Sequence, residues 1–173
     1  MISSTNIYLI GPMGAGKSSI GKQLALKTNK IFIDSDTEIE KRTGVKIDLI
    51  FEIEGESGFR KRETLMIDEL TSLSGIVLAT GGGAVLMERN RKNLKKNGIV
   101  VYLKASPQLL MKRTEKDRDR PLLQTDNRLK RIEELLETRE PLYEEIADFI
   151  VNTDGHTVRK IVKNIQEMLK TDA

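Results

Sequence analysis

The sequence predicts an α/β fold in which a parallel sheet is covered by helices on both faces. Two observations carry this. Short apolar, β-branched runs recur along the chain with helix-like stretches between them. A glycine-rich anion-binding pattern also falls between the first run and the helix-like segment after it.

Taken in order, the strand-like runs are residues 7–10, 31–33, 76–79, 99–103 and 149–151. Their regular alternation with helical stretches implies parallel pairing with both sheet faces buried. Among the helix signals, Ser106 and Pro107 suit the cap and first-turn positions. Val158, Ile161, Val162, Ile165, Met168 and Leu169 make one apolar face, so the C-terminal segment reads as a packed helix. Between residues 114 and 127 the pattern fails: TEKDRDRPLLQTDN is charged, holds a proline and lacks an apolar period. Two readings fit it, a solvated surface loop or a mobile lid. No repeat, low-complexity tract or linker divides the chain, and residues 1–173 read as one domain.

Composition narrows the function. A chain of 173 residues buries roughly two-thirds of its unfolded surface in one core. It has no cysteine, which removes disulfides and thiolate metal sites and fits a cytoplasmic setting. The N-terminus MISSTNIYLI has no basic leader region and only a short apolar run, so it reads as a first strand and not as a signal peptide or membrane span. The 29 basic residues nearly balance the 26 acidic ones, and aromatics are only 4% of the chain. That leaves neither a phosphate-tracking face nor stacking platforms, so no nucleic-acid partner and no membrane partner is expected.

The strongest local signal is Gly11-Pro12-Met13-Gly14-Ala15-Gly16-Lys17-Ser18, the pattern G-x-x-x-x-G-K-S, set between NIYLI and SIGKQLALKT. Glycines let the backbone wrap an anion with its N–H groups inward, and the next helix adds the positive end of its dipole. Lys17 should reach the β and γ phosphates, and Ser18 should ligate Mg²⁺. Next comes Phe32-Ile33-Asp34-Ser35-Asp36, where alternation along a strand would send both aspartates to one side at a carboxyl edge. Asp34 is assigned to the metal and Asp36 to a substrate hydroxyl, the alternative being that both cap the following helix.

Gly81, Gly82 and Gly83 follow a third strand and either expose bare backbone to a substrate or make a plain turn. That strand does not end in an aspartate, so the usual second metal carboxylate of phosphate-loop proteins is missing there. Arg60 is followed by Glu63 one helical turn later; buttressed so, it could hold a carboxylate bidentately, or it could sit on a solvated charged face. Arg139 has the same two readings. The lone His156 reads as a surface residue or a neighbour of a nucleotide-binding loop.

Together the phosphate loop, DSD, FRKRE, TGGG, RPLL and REPLY occur in the order found in shikimate kinases, and the chain resembles that family from about Asn6 to its last helix. The resemblance implies a three-layer P-loop fold with five parallel strands in the order 2-3-1-4-5, a substrate-binding region near residues 35–63 and a lid near 114–127. It implies that Gly14, Ala15, Gly16, Lys17, Ser18 and Ser19 hold ATP, with Arg113 beside the adenine and Asn152 and Thr153 in an adenine loop running to residue 155. Ser18 and Asp34 would serve Mg²⁺. Asp36, Arg60, Arg139 and the three glycines would bind shikimate, Phe51 and Phe59 would wall the pocket, and Glu63 would position Arg60. The resemblance makes Lys17, Asp36 and Arg120 catalytic, Arg120 approaching the transferred phosphoryl, while Arg118 is an extra lid arginine without an assigned role. The expected reaction is phosphorylation of the shikimate 3-hydroxyl by ATP, in the biosynthesis of chorismate and aromatic amino acids, by a cytoplasmic monomer. Rival readings are a gluconate or nucleotide kinase on the same scaffold, and a nucleotide-binding module without transfer activity.

Overall fold

The computed structural model describes residues 4–116, 121–123 and 125–172. Its strands are β1 (Asn6–Ile10), β2 (Ile31–Asp34), β3 (Ile76–Ala79), β4 (Gly98–Lys104) and β5 (Phe149–Asn152). The helices are α1 (Lys17–Thr28), α2 (Ser35–Thr43), α3 (Ile47–Leu70), α4 (Glu88–Asn97), α5 (Pro107–Thr114), α6 (Arg128–Ile146) and α7 (Val158–Thr171). Short 3-10 turns occupy Ala84–Leu86 and Pro121–Leu123. All strand pairs are parallel, in the order β2-β3-β1-β4-β5 expected from the resemblance.

The alternation inside β1 shows how one sheet feeds two cores. Ile7 and Leu9 point to one face, where they pack with Leu24, Val101, Ile161 and Ile165. Tyr8 and Ile10 point to the other, against Ile67, Leu78, Val100 and Tyr143. Burial on both faces explains why these strands read as continuous apolar runs.

Helix ends follow their sequence signals. The Ser106 hydroxyl accepts from the Leu109 N–H at 3.3 Å with Pro107 in the first turn. In α7, Ile161, Val162 and Ile165 are buried while Val158, Met168 and Leu169 pack against the same core. Among the described residues no helix is long and apolar enough to cross a membrane.

One feature departs from the sequence reading and a second adds to it. Strand β2 stops at Asp34, so Asp36 lies in the first turn of α2 and not on a strand. The two aspartates therefore meet the same cleft through a strand-to-helix junction, because the Asp34 carboxylate captures the Thr37 N–H and starts the helix early. Helix α3 is also broken at Gly55, whose backbone (φ 71°, ψ 176°) leaves the helical region and lies where glycine alone is comfortable. Of the lid segment, residues 117–120 and 124 lie outside the described residues. Arg118 and Arg120 fall among them.

Candidate active site

A cleft of about 440 Å³ opens at the carboxyl ends of the strands, where open α/β sheets place their ligands. One side is the phosphate loop, with Gly14, Gly16, Lys17, Ser18 and Ser19 on its wall. The Lys17 ammonium donates to the carbonyls of Gly11 and Pro12 at 2.6 and 2.8 Å, folded over its own loop. Ala15 is buried beneath it. Across the strand edge, Ser18 Oγ donates to Asp34 Oδ2 at 2.7 Å, while Asp34 Oδ1 holds the Thr37 N–H at 3.1 Å. Asp34 is thus a helix cap and a neighbour of Ser18 at once. A hydroxyl and a carboxylate side by side at an anion cradle form a donor set that fits Mg²⁺ carrying phosphates.

The opposite side is built on α2, α3, α6 and the glycine triplet. Arg60 and Arg139 are only 8% and 4% exposed, which rules out solvated charged faces for both. Arg60 donates to buried Glu63 at 2.8 Å and to Glu56 at 3.2 Å, and its guanidinium carbon lies 5.2 Å from the centre of the Phe59 ring. Burial pushes the Glu63 carboxyl above the usual glutamate value of 4.5, against the pull of Arg60 and Arg139. Burial also lowers the Arg139 guanidinium, which further feels the like charge of Arg60. Two desolvated cations beside one buried carboxylate favour an incoming anion.

The glycines are explained by what crowds them. A Cβ on Gly81 would stand 2.8 Å from Glu63 Oε2 and 2.9 Å from Asp36 Oδ1, and one on Gly83 would overlap the Arg60 guanidinium. The triplet lets charged groups lie flat on backbone. Its first N–H donates to Ser35 Oγ at 3.2 Å. Ser35, fully buried between the two aspartates, carries no distinguishing sequence signal, because a serine among aspartates resembles any capping run.

Phe51 and Phe59 also face this cleft, with ring centres 4.8 Å apart. Eight residues of unbroken helix would separate them by about 12 Å along the axis. The break at Gly55 is what brings them together.

Other predicted residues lie toward the far end of the loop. Arg113 Nη1 donates to the Gly14 carbonyl at 3.1 Å. Asn152 is exposed at the end of β5, its side chain accepting from the Asp154 N–H at 2.9 Å. Thr153 is fully buried, with N–H and hydroxyl both donating to the Lys104 carbonyl. At the end of β3, where the second metal carboxylate of other phosphate-loop proteins would stand, Thr80 donates its hydroxyl to the Leu9 carbonyl at 3.0 Å. Lys46 and Glu40 line the cleft mouth 3.9 Å apart and carry no sequence signal beyond charge.

A phosphate loop feeding α1, a metal-competent Ser18–Asp34 pair and a second, cationic pocket in the same cleft define a P-loop kinase. Comparison with known proteins specifies it further. The family model described as shikimate kinase matches residues 13–170, and the chain belongs to that family. It is 58% identical over 165 residues to a shikimate kinase of Thioalkalivibrio sulfidiphilus, covering 95% of this chain and 87% of the relative. It is 53% identical to one of Thiobacillus denitrificans, covering 100% and 96% respectively. A shikimate kinase from Acinetobacter baumannii, solved in complex with shikimate, superposes with a TM-score of 0.96 at 47% identity, over 97% of this chain and 94% of that one.

Proposed function

We propose that this kinase transfers the γ-phosphoryl of ATP to the 3-hydroxyl of shikimate, giving shikimate 3-phosphate and ADP on the route to chorismate and aromatic amino acids. The observation that carries the proposal is the burial of Arg60 and Arg139 together, beside Asp36 and across one cleft from the phosphate loop. Such a pair suits a carboxylate, and the nearby aspartate suits a hydroxyl on the same small molecule.

In the proposed mechanism Arg60, held by Glu63, and Arg139 bind the carboxylate, Phe51 and Phe59 wall the ring, and Gly81, Gly82 and Gly83 present backbone to it. Asp36 orients the hydroxyl and takes its proton. The hydroxyl oxygen bonds to the γ-phosphorus as the bond to the β–γ bridging oxygen breaks and ADP leaves. Lys17 moves from the Gly11 and Pro12 carbonyls onto the β and γ phosphates, and Gly14, Ala15, Gly16, Ser18 and Ser19 cradle the phosphate chain. Ser18 and Asp34 would hold Mg²⁺, which neutralises phosphate charge when bound. Arg113, Asn152 and Thr153 are assigned to the adenine end, Thr153 through its backbone because its hydroxyl is turned inward. Arg120 is assigned to the transferred phosphoryl. One domain with an acceptor region at 35–63 and a lid at 114–127, acting as a cytoplasmic monomer, completes the reading.

An ADP-release assay across shikimate, gluconate and nucleotides tests it, with Mg²⁺ omitted as a control. Turnover is expected with shikimate alone, abolished by Lys17→Ala or Arg120→Ala. Arg60→Ala should mainly raise the shikimate KM. Reaction with gluconate but not shikimate would sink the proposal.

A further inference from the structure

One buried group near the acceptor pocket has no part in that mechanism. Tyr143, on α6, is fully buried and donates its hydroxyl to the Gly82 carbonyl at 2.5 Å. Arg139, one helical turn earlier, lines the same small cavity as Tyr143, and its charge beside the phenol opposes the upward push of burial. The ring is clamped from behind by Tyr102, centre to centre 4.9 Å, within the core formed with Tyr8, Ile10 and Val100. Burial raises the phenol to about 12, so it stays protonated and able to donate across the range in which enzymes work.

We propose that Tyr143 is a positioning residue for the acceptor carboxylate, its hydroxyl fixing the Arg139 guanidinium and the middle glycine of the triplet in one register. This rests on the carboxylate role given to Arg139 above. A phenol is suited to the task because it accepts from a guanidinium and donates to a carbonyl at the same time, which aligns two unlike partners. Arg139 Nη1 also lies 3.5 Å from where a Gly82 Cβ would be, so the guanidinium and the triplet share one contact surface. A long side chain with several rotatable bonds otherwise loses entropy on meeting its ligand. Tyr143 removes much of that loss in advance.

The test is Tyr143→Phe, which keeps the ring against Tyr102 and removes only the hydroxyl, assayed with shikimate and with its analogue bearing hydroxymethyl in place of the carboxylate. The shikimate KM should rise about tenfold, the order expected for losing hydrogen bonds to a charged group. The kcat and the KM for ATP should stay within about twofold of wild type, and the analogue KM should not change. In an Arg139→Ala background the effect of Tyr143→Phe on shikimate should vanish. An unchanged shikimate KM, or an equal loss with shikimate, analogue and ATP, would overturn the proposal and leave Tyr143 a core residue. If Tyr143→Phe does not fold, 3-fluorotyrosine at position 143 retains the shape and makes the phenol a weaker acceptor. A selective rise in shikimate KM is then expected, and no change overturns the idea. Failure of wild type to phosphorylate shikimate would instead refute the functional proposal, and the two failures are read from different enzymes.

Discussion

Glu63 shows how one side chain serves the site at a cost to the fold. Its carboxylate braces Arg60 from a fully buried position, and burial lifts its pKa above the usual 4.5. A group whose folded pKa is raised favours the folded state most when protonated, so its contribution is present below the unfolded pKa and is lost as pH rises through the folded one. Glu63→Gln mimics the protonated form. Its melting temperature should therefore match wild type below about pH 4, the range in which an unfolded glutamate is already protonated, and exceed it increasingly toward neutrality. Parallel melting curves of the two proteins from acid to neutral pH check this, and a gap that shrinks with rising pH would reject it. At this scale the sequence showed which residues have chemistry but not which are buried. Arg60 and Arg139 look like any charged helix residues until the neighbours that cover them are known, and nothing local sets Tyr143 or Ser35 apart from the residues beside them.

Strands and helix starts were readable because their signals are local. A run of β-branched residues, a serine before a proline, or an apolar face at helical spacing is set by residues within one or two turns. The end of β2 is harder to read by the same logic, since Asp34 serves both as strand end and as cap and leaves Asp36 in the helix. The break in α3 was hidden for a different reason: IFEIEGESGFRKRE continues as charged and apolar residues on both sides of Gly55, and glycine occurs inside many continuous helices. Space around Gly55 is open, so Gly55→Ala suffers no collision and isolates the backbone effect. Forcing alanine to that conformation should cost about 1–3 kcal/mol. A fall in melting temperature is expected together with a higher shikimate KM, because relaxation toward a continuous helix would part Phe51 from Phe59. Calorimetry and steady-state kinetics on one preparation check both, and an unaffected KM would disconnect the break from the pocket wall.

For the molecule as a whole, the two cores on opposite sheet faces hold the strand ends in place, while the cleft residues come from β2, α1, α2, α3, α6 and the glycine triplet. Ligand binding should therefore register as global stability. Shikimate at one hundred times its Kd adds about 2.7 kcal/mol, a rise of roughly 5–10 °C for a chain of this size. That rise should disappear in Arg60→Ala at the same shikimate concentration while the shift produced by ATP persists. Thermal-shift measurements distinguish the outcomes, and an equal shift in both proteins would place the carboxylate elsewhere. The sheet order was legible only through the family resemblance, and the cleft's location through the phosphate loop, DSD and TGGG, which sit at carboxyl ends of strands, whereas FRKRE and REPLY lie inside α3 and α6. The depth of the acceptor pocket was not, because it depends on how α3 folds over α2. The two arms of α3 meet at a single glycine, so the joining of Phe51 and Phe59 into one aromatic wall depends on one pair of backbone torsions. A change at that one position would reshape the wall while every residue in it stays the same.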